Sequence, residues 1–383
     1  MDTALQVKLE ERFQQSRYRT RTAVDSACAA ILKVDGKPLH NFCSNDYLGL
    51  ASHPEIARAF KQGIDRYGAG SGASHLISGH GQAHQYLEQQ LADFTGRPRA
   101  LLFSSGYMAN LGVINGLVGR GDLVLEDYLN HASLLDGGLL SGARFQRFKH
   151  CDTADLNAKL SRAEGQRKLL VTDAVFSMDG DLAPLEDLAA LCANHRSWLM
   201  VDDAHGFGVL GARGGGLVEH LNLTMEQVPI LVGTLGKAFG TYGAFVAGSE
   251  ALIETLIQYA RSYIYTTALP PAVAVASSAS LRLVESEHWR RDKLSQLIAR
   301  FRESAMQIGL QLMDSKTPIQ PLLLGDDRQV LDMAAQLRHK GFMVGAIRPP
   351  TVPEGQSRLR ITLTANHSEE QIDALVDALD SCR

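Results

Sequence analysis

Apolar and polar positions follow one another along this chain in two rhythms. Short apolar runs at Ala100–Phe103, Asp122–Leu125, Lys168–Thr172, Trp198–Val201, Pro229–Gly233 and Ala244–Ala247 predict strands buried on both faces. Between them, apolar residues return at helical spacing. Leu87, Leu91 and Phe94 share one helical face, and Leu185, Leu188, Ala189 and Cys192 share another, with Pro184 as a first-turn residue. Strands that alternate with helices predict an α/β fold, with a mostly parallel central sheet and helices on both its faces. In such a sheet ligands gather at the carboxyl ends of the strands.

The last hundred residues change rhythm. The pattern predicts a long charged helix over His288–Ile308, a strand over Ile319–Leu324 and a helix over Arg328–Lys340. Short strands near Met343 and across Arg358–Leu363 and a closing helix over Ser368–Leu379 follow. This order predicts a smaller C-terminal α+β domain. The expected division is an N-terminal segment over 1–45, a large domain over 46–285 and a small domain over 286–383.

Composition narrows the function classes. The chain has 383 residues, 45% hydrophobic and 21% charged, as in an ordinary globular protein. Its net charge of −4 gives no basic field for nucleic acid. The cysteines Cys28, Cys43, Cys151, Cys192 and Cys382 form no C-x-x-C pair, which predicts a reduced, cytoplasmic protein. Met1 to Arg21 lacks the apolar core of a secretory signal, and no run approaches the ~20 apolar residues of a membrane span.

Candidate chemistry sits where the apolar runs end. Lys237 lies in Gly233-Thr234-Leu235-Gly236-Lys237-Ala238-Phe239-Gly240, after a strand and among glycines that let backbone approach a ligand. A Walker A loop is excluded, because the lysine is not followed by serine or threonine. Asp202 and Asp203 end the apolar run Trp198–Val201, where a carboxylate is costly unless it meets a partner. A lysine amine that takes up an aldehyde and an aspartate that holds a pyridinium nitrogen together point to pyridoxal phosphate (PLP). Asp202, Asp203 and His205 also suit a metal site. His131, in Asn130-His131-Ala132-Ser133, is placed to stack on a flat ring or to serve structure alone. Gly106 and Tyr107 open a helix after a strand, either as an anion site or as a plain turn. Ser177 ends another strand. Arg358 and Arg360 share one strand face, as a clamp for a substrate carboxylate or as a solvated surface.

Six motifs occur in the order found in the α-oxoamine synthases. They are Ser44-Asn45-Asp46-Tyr47-Leu48-Gly49-Leu50, Phe103-Ser104-Ser105-Gly106-Tyr107, Asn130-His131-Ala132-Ser133, Val175-Phe176-Ser177-Met178-Asp179-Gly180, Val201-Asp202-Asp203-Ala204-His205-Gly206 and Thr234-Leu235-Gly236-Lys237. The chain resembles this family over nearly its whole length. The resemblance implies a fold-type I PLP-dependent transferase that joins an amino acid to an acyl thioester with loss of carbon dioxide. The stretch Ala346-Ile347-Arg348-Pro349-Pro350-Thr351-Val352-Pro353, with Arg358–His367 after it, resembles the branch that serves biotin synthesis. That branch implies L-alanine and a pimeloyl thioester on acyl carrier protein or coenzyme A.

The resemblance also implies roles. Lys237 carries the cofactor, Asp202 binds its ring nitrogen, His205 and Ser177 bond its ring-oxygen side, and His131 stacks on the ring and meets substrate. Gly106, Tyr107 and Thr234 surround the phosphate, joined across a homodimer interface by Thr266 or its neighbour Thr267. Arg360 holds the amino-acid carboxylate, and Asn45, Thr351 and Arg19, or Arg21 beside it, contact substrate. No metal is implied.

Overall fold

The computed structural model describes residues 1–383. Its strands are β1 (Ile31–Val34), β2 (Lys37–Phe42), β3 (Arg99–Phe103), β4 (Leu123–Asp127), β5 (Arg144–Phe148), β6 (Lys168–Asp173), β7 (Trp198–Asp202), β8 (Ile230–Thr234), β9 (Ala244–Gly248), β10 (Ile319–Gly325), β11 (Phe342–Ile347) and β12 (Ser357–Thr362). The chain falls into two compact units. One holds Met1–Gly49, Met178–Asp181 and Asp292–Arg383, and the other holds Leu50–Ser177 and Leu182–Arg291.

The larger unit carries a seven-stranded sheet of order β3-β9-β8-β7-β6-β4-β5. β5, β4, β6, β7 and β8 run parallel, and β9 is antiparallel to both its neighbours β8 and β3. Successive residues of these strands feed two different cores. Val124, Leu169, Val171, Met200 and Val232 pack on one face with Val113, Ile114 and Leu256. Leu123, Leu125, Leu170, Leu199, Val201 and Leu231 pack on the other with Leu156, Leu185 and Leu188. Burial on both faces is why the strands read as continuous apolar runs. All six expected strands of this unit are present. β5, Arg-Phe-Gln-Arg-Phe, has no such run, because it is an edge strand with only Phe148 fully buried.

The smaller unit has a five-stranded sheet of order β1-β2-β11-β12-β10. β2 pairs parallel with β11, so residues from the start of the chain complete a sheet built by its end. The expected C-terminal elements appear as helices Trp289–Gln307, Asp327–His339 and Glu369–Asp380 and strands β10 to β12. β12 lies inside the sheet, and Arg358, Leu359, Arg360 and Ile361 are all buried on it. The solvated strand face open to the two arginines is therefore ruled out.

Candidate active site

In the larger unit the chemistry collects at the carboxyl ends of β4, β6, β7 and β8. β6 and β7 are in register, with Asp173 opposite Asp202 at their ends. Both acids are buried. The Asp202 Oδ1 accepts the N–H of Ala204 at 3.0 Å, and its Oδ2 accepts Asn110 Nδ2 at 2.6 Å. Asp173 Oδ2 accepts the backbone N–H of His131 at 2.6 Å. Burial, and then the neighbouring Asp202, push the Asp173 carboxyl well above the usual range, which favours its neutral form. Asp203 turns elsewhere: its Oδ2 accepts the N–H of Leu217 at 2.6 Å. Burial raises its pKa to about 7. Asp202, Asp203 and His205 do not gather around one point, so the metal alternative fails.

His131 is exposed and caps the helix Ala132–Leu140 through its own Nδ1, which accepts the N–H of Ser133 at 3.3 Å. The packed groups around the ring lower its pKa. Asp202 opposes that shift, and Lys237 adds to it. These couplings show that His131, Asp202, Asp173 and Lys237 share one electrostatic environment.

Lys237 sits half-buried in a tight turn after β8. The turn is held by Leu235 N–H to Gly243 O at 2.9 Å, Gly240 N–H to Lys237 O at 2.8 Å and Thr241 N–H to Leu235 O at 2.9 Å. Thr234 Oγ1 donates to Gly243 O at 3.0 Å. Gly240 has φ +63°, and a Cβ there would stand 2.3 Å from Ala51 N. The glycine thus serves an approach to protein backbone, not to a ligand as the sequence pattern suggested.

The helix Gly106–Leu117 opens after β3, with Ser105 Oγ accepting Met108 N–H at 3.3 Å. First-turn N–H groups have no partner within a helix. A Cβ on Gly106 would meet nothing within 4 Å, so the space there is open. Tyr107 is exposed and its hydroxyl bonds Asp136. Ser177 follows β6, and His205 is buried in the loop after β7. Thr266 Oγ1 donates to Ser262 O at 2.6 Å. The backbone carbonyl of Thr267 accepts Ser104 Oγ at 3.5 Å, and Thr267 bridges Ser74.

The smaller unit brings together the other residues expected to meet substrate. Arg360 Nη2 donates to Asn45 Oδ1 at 3.2 Å and to Tyr47 Oη at 3.5 Å, both uncharged groups. Arg358 is instead ion-paired with Asp179. Arg19 Nη2 donates to Thr351 Oγ1 at 3.3 Å. The two line a cavity of about 590 Å³ that Arg338 and Arg348 also face, whereas Arg21 does not line it.

A profile of the aminotransferase class I and II family matches residues 37–379. The chain belongs to that family. Among the chain's relatives, the 8-amino-7-oxononanoate synthase of Cellvibrio japonicus is 62% identical over 99% of this chain and 95% of its own. That of Nitrosococcus oceani is 62% identical over 97% and 99%. A crystal structure of 8-amino-7-oxononanoate synthase from Francisella tularensis superposes with a TM-score of 0.78 at 34% identity, covering 90% of this chain and 97% of that one. A serine palmitoyltransferase from Sphingomonas wittichii superposes at 0.94 with 31% identity, covering 100% and 96%. The fold is therefore the fold-type I PLP-dependent one. Within the class I and II aminotransferases, the chain groups with the 8-amino-7-oxononanoate synthases and is a PLP-dependent acyltransferase.

The donor set fits PLP. A buried carboxylate at a strand end suits a ring N–H, open space at a helix N-terminus suits a phosphate, and an imidazole and a lysine amine complete the group. Sequence reasoning missed Asn110, Ser133, Asp173 and Tyr47. Ser133 and Tyr47 stand inside motifs quoted above, and nothing in the sequence showed that Asn110 meets Asp202 or that Ser133 meets His131.

Proposed function

We propose that this protein condenses L-alanine with a pimeloyl thioester, releasing carbon dioxide and the thiol and giving 8-amino-7-oxononanoate for biotin synthesis. The observation that carries this reading is full-length identity of 59–62% to relatives named for that product, on a chain whose site fits PLP. When bound, the cofactor supplies an aldehyde for covalent attachment and a ring that delocalises an electron pair at the amino acid's α-carbon.

The remaining work falls to side chains. Lys237 holds the cofactor, takes the α-proton of alanine and returns a proton to the same carbon once carbon dioxide has left. Asp202 keeps a proton at the ring nitrogen by accepting its N–H. Asp173 beside it, pushed toward its neutral form by burial, holds the His131 backbone N–H. His131 covers one face of the ring, and Ser177 and His205 bond its oxygen side. The first-turn N–H groups of Gly106 and Tyr107 take the phosphate, with Thr234 of the same chain beside it and Thr266 or Thr267 reaching it across a homodimer interface. Arg360, presented by Asn45 and Tyr47, binds the carboxylate of alanine. Arg19 and Thr351 bind the acyl donor.

The test is product formation by the purified holoenzyme, read by mass spectrometry. L-Alanine, glycine and L-serine are each offered with pimeloyl and acetyl thioesters on coenzyme A, and with pimeloyl acyl carrier protein. The expected product is 8-amino-7-oxononanoate from alanine and a pimeloyl donor. Turnover of glycine with the acetyl donor in its place would sink the proposal.

A further inference from the structure

Asn110 stands at the centre of a closed hydrogen-bond chain whose proton directions can be counted. It is 1% exposed, on the helix Gly106–Leu117. Its Nδ2 lies 2.6 Å from Asp202 Oδ2 and 2.9 Å from Ser133 Oγ. An amide nitrogen has two hydrogens, so these two acceptors use both. Ser133 Oγ in turn lies 2.7 Å from His131 Nδ1. That nitrogen also accepts the backbone N–H of Ser133, so its lone pair faces the serine. The serine hydroxyl therefore accepts from Asn110 and donates to His131. In the neutral imidazole the ring proton must then sit on Nε2.

We infer that Asn110 is a positioning residue that ties the acceptor for the cofactor's ring nitrogen to the imidazole of His131 and, through the Ser133 hydroxyl, supports the Nε2–H tautomer that the Ser133 N–H also favours. The inference rests on the reading above, in which Asp202 receives the ring nitrogen. Its physical content is preorganisation. Asp202 ends a strand and His131 begins a helix, and one buried amide sets the orientation of both. The arrangement leaves Asn110 Oδ1 buried without a hydrogen-bond partner. Such an orphan acceptor is destabilising, which packing alone does not explain. Asp173, Asp203, Asp127, Lys237 and His131 are the titratable groups whose fields meet Asp202 or its neighbour Asp173. The Asn110 bond is thus a neutral donor among charges.

The experiment compares Asn110→Ala, Ser133→Ala and Asp202→Ala as purified proteins reconstituted with PLP. Removing Asn110 deletes a hydrogen bond to a charged group. The dissociation constant for PLP should rise about tenfold to a hundredfold, and the midpoint of the cofactor's absorbance titration should move. In the same variant kcat should fall with little change in KM for alanine. Ser133→Ala cuts only the link to His131. It should leave PLP affinity within about twofold while lowering kcat, and 15N-histidine NMR should show a shifted His131 Nδ1 resonance, because one of the two donors facing that nitrogen is gone. Asn110→Ser, which keeps a donor, should recover part of the loss and serves if the alanine variant does not fold. Unchanged PLP affinity, titration midpoint and kcat in Asn110→Ala, while Asp202→Ala loses the cofactor, overturns the inference alone. No effect in either variant overturns the reading of Asp202 with it.

Discussion

At the scale of single residues, the two units use their charged side chains differently. Arg358 and Arg360 are two positions apart on β12 and chemically identical, yet one is ion-paired with Asp179 and the other is held by an amide and a phenol. The second reaches Asn45 and Tyr47, and it is the one proposed to meet the substrate carboxylate. Arg360→Ala should therefore raise KM for L-alanine about tenfold to a hundredfold, the worth of a bond to a charged group, with a smaller change in kcat. Steady-state kinetics over alanine concentration checks it, and an unchanged KM would move the role elsewhere. Lys237 is the residue whose loss should be most complete. Lys237→Ala should lower turnover by roughly 10²–10⁴-fold or more and abolish the holoenzyme's visible absorbance and borohydride-fixed label. Retained colour with a label at 237 absent would show that another amine carries the cofactor.

At the scale of elements, the site depends on how strands end. β6 and β7 stop in register and β8 runs two residues further, and each hands its next residues to a loop held by backbone hydrogen bonds. The Lys237 turn is the clearest case. Gly240 combines a left-handed φ with a close approach to Leu50 and Ala51, so two independent constraints demand glycine. Gly240→Ala should destabilise the protein by about 1–3 kcal/mol or more and should loosen PLP. Thermal melting of the apoprotein and PLP titration measure the two effects, and a variant with wild-type values in both would show that the turn yields. The strand ends were legible because burial on both faces makes an apolar run that stops abruptly at a polar residue. β5 was not legible, since an edge strand with one exposed and one half-buried arginine needs no such run.

At the scale of the whole molecule, the larger unit concentrates buried acids at one end of its sheet. Glu126, Asp127, Asp173, Asp202 and Asp203 are all buried there. Glu126 has no part in the proposed chemistry, and burial pushes its carboxyl up to about 8. Between the ordinary carboxylate range and pH 8 the unfolded chain releases a proton that the folded chain keeps. Stability from this group is therefore lost as pH rises through that window. Glu126→Gln removes the loss, so the variant should melt higher than the natural protein at pH 8 and nearly the same at pH 4. Calorimetry at the two values checks the sign, and a lower melting temperature at pH 8 would refute it.

The sequence by itself determined the element types, the order of the motifs and the chemistry available at each strand end. Periodicity, strand termini and local turns are properties of neighbouring residues, and short-range sterics and burial write them directly into the chain. Only the tertiary structure decided which side chains meet. It joined β2 to β11 across the length of the chain, spent Arg358 on Asp179, sent Asp203 to Leu217 and set Asn110 between Asp202 and Ser133. Those choices belong to groups far apart in sequence. Their energies depend on burial and on the position of a partner, and neither exists until the sheet has formed.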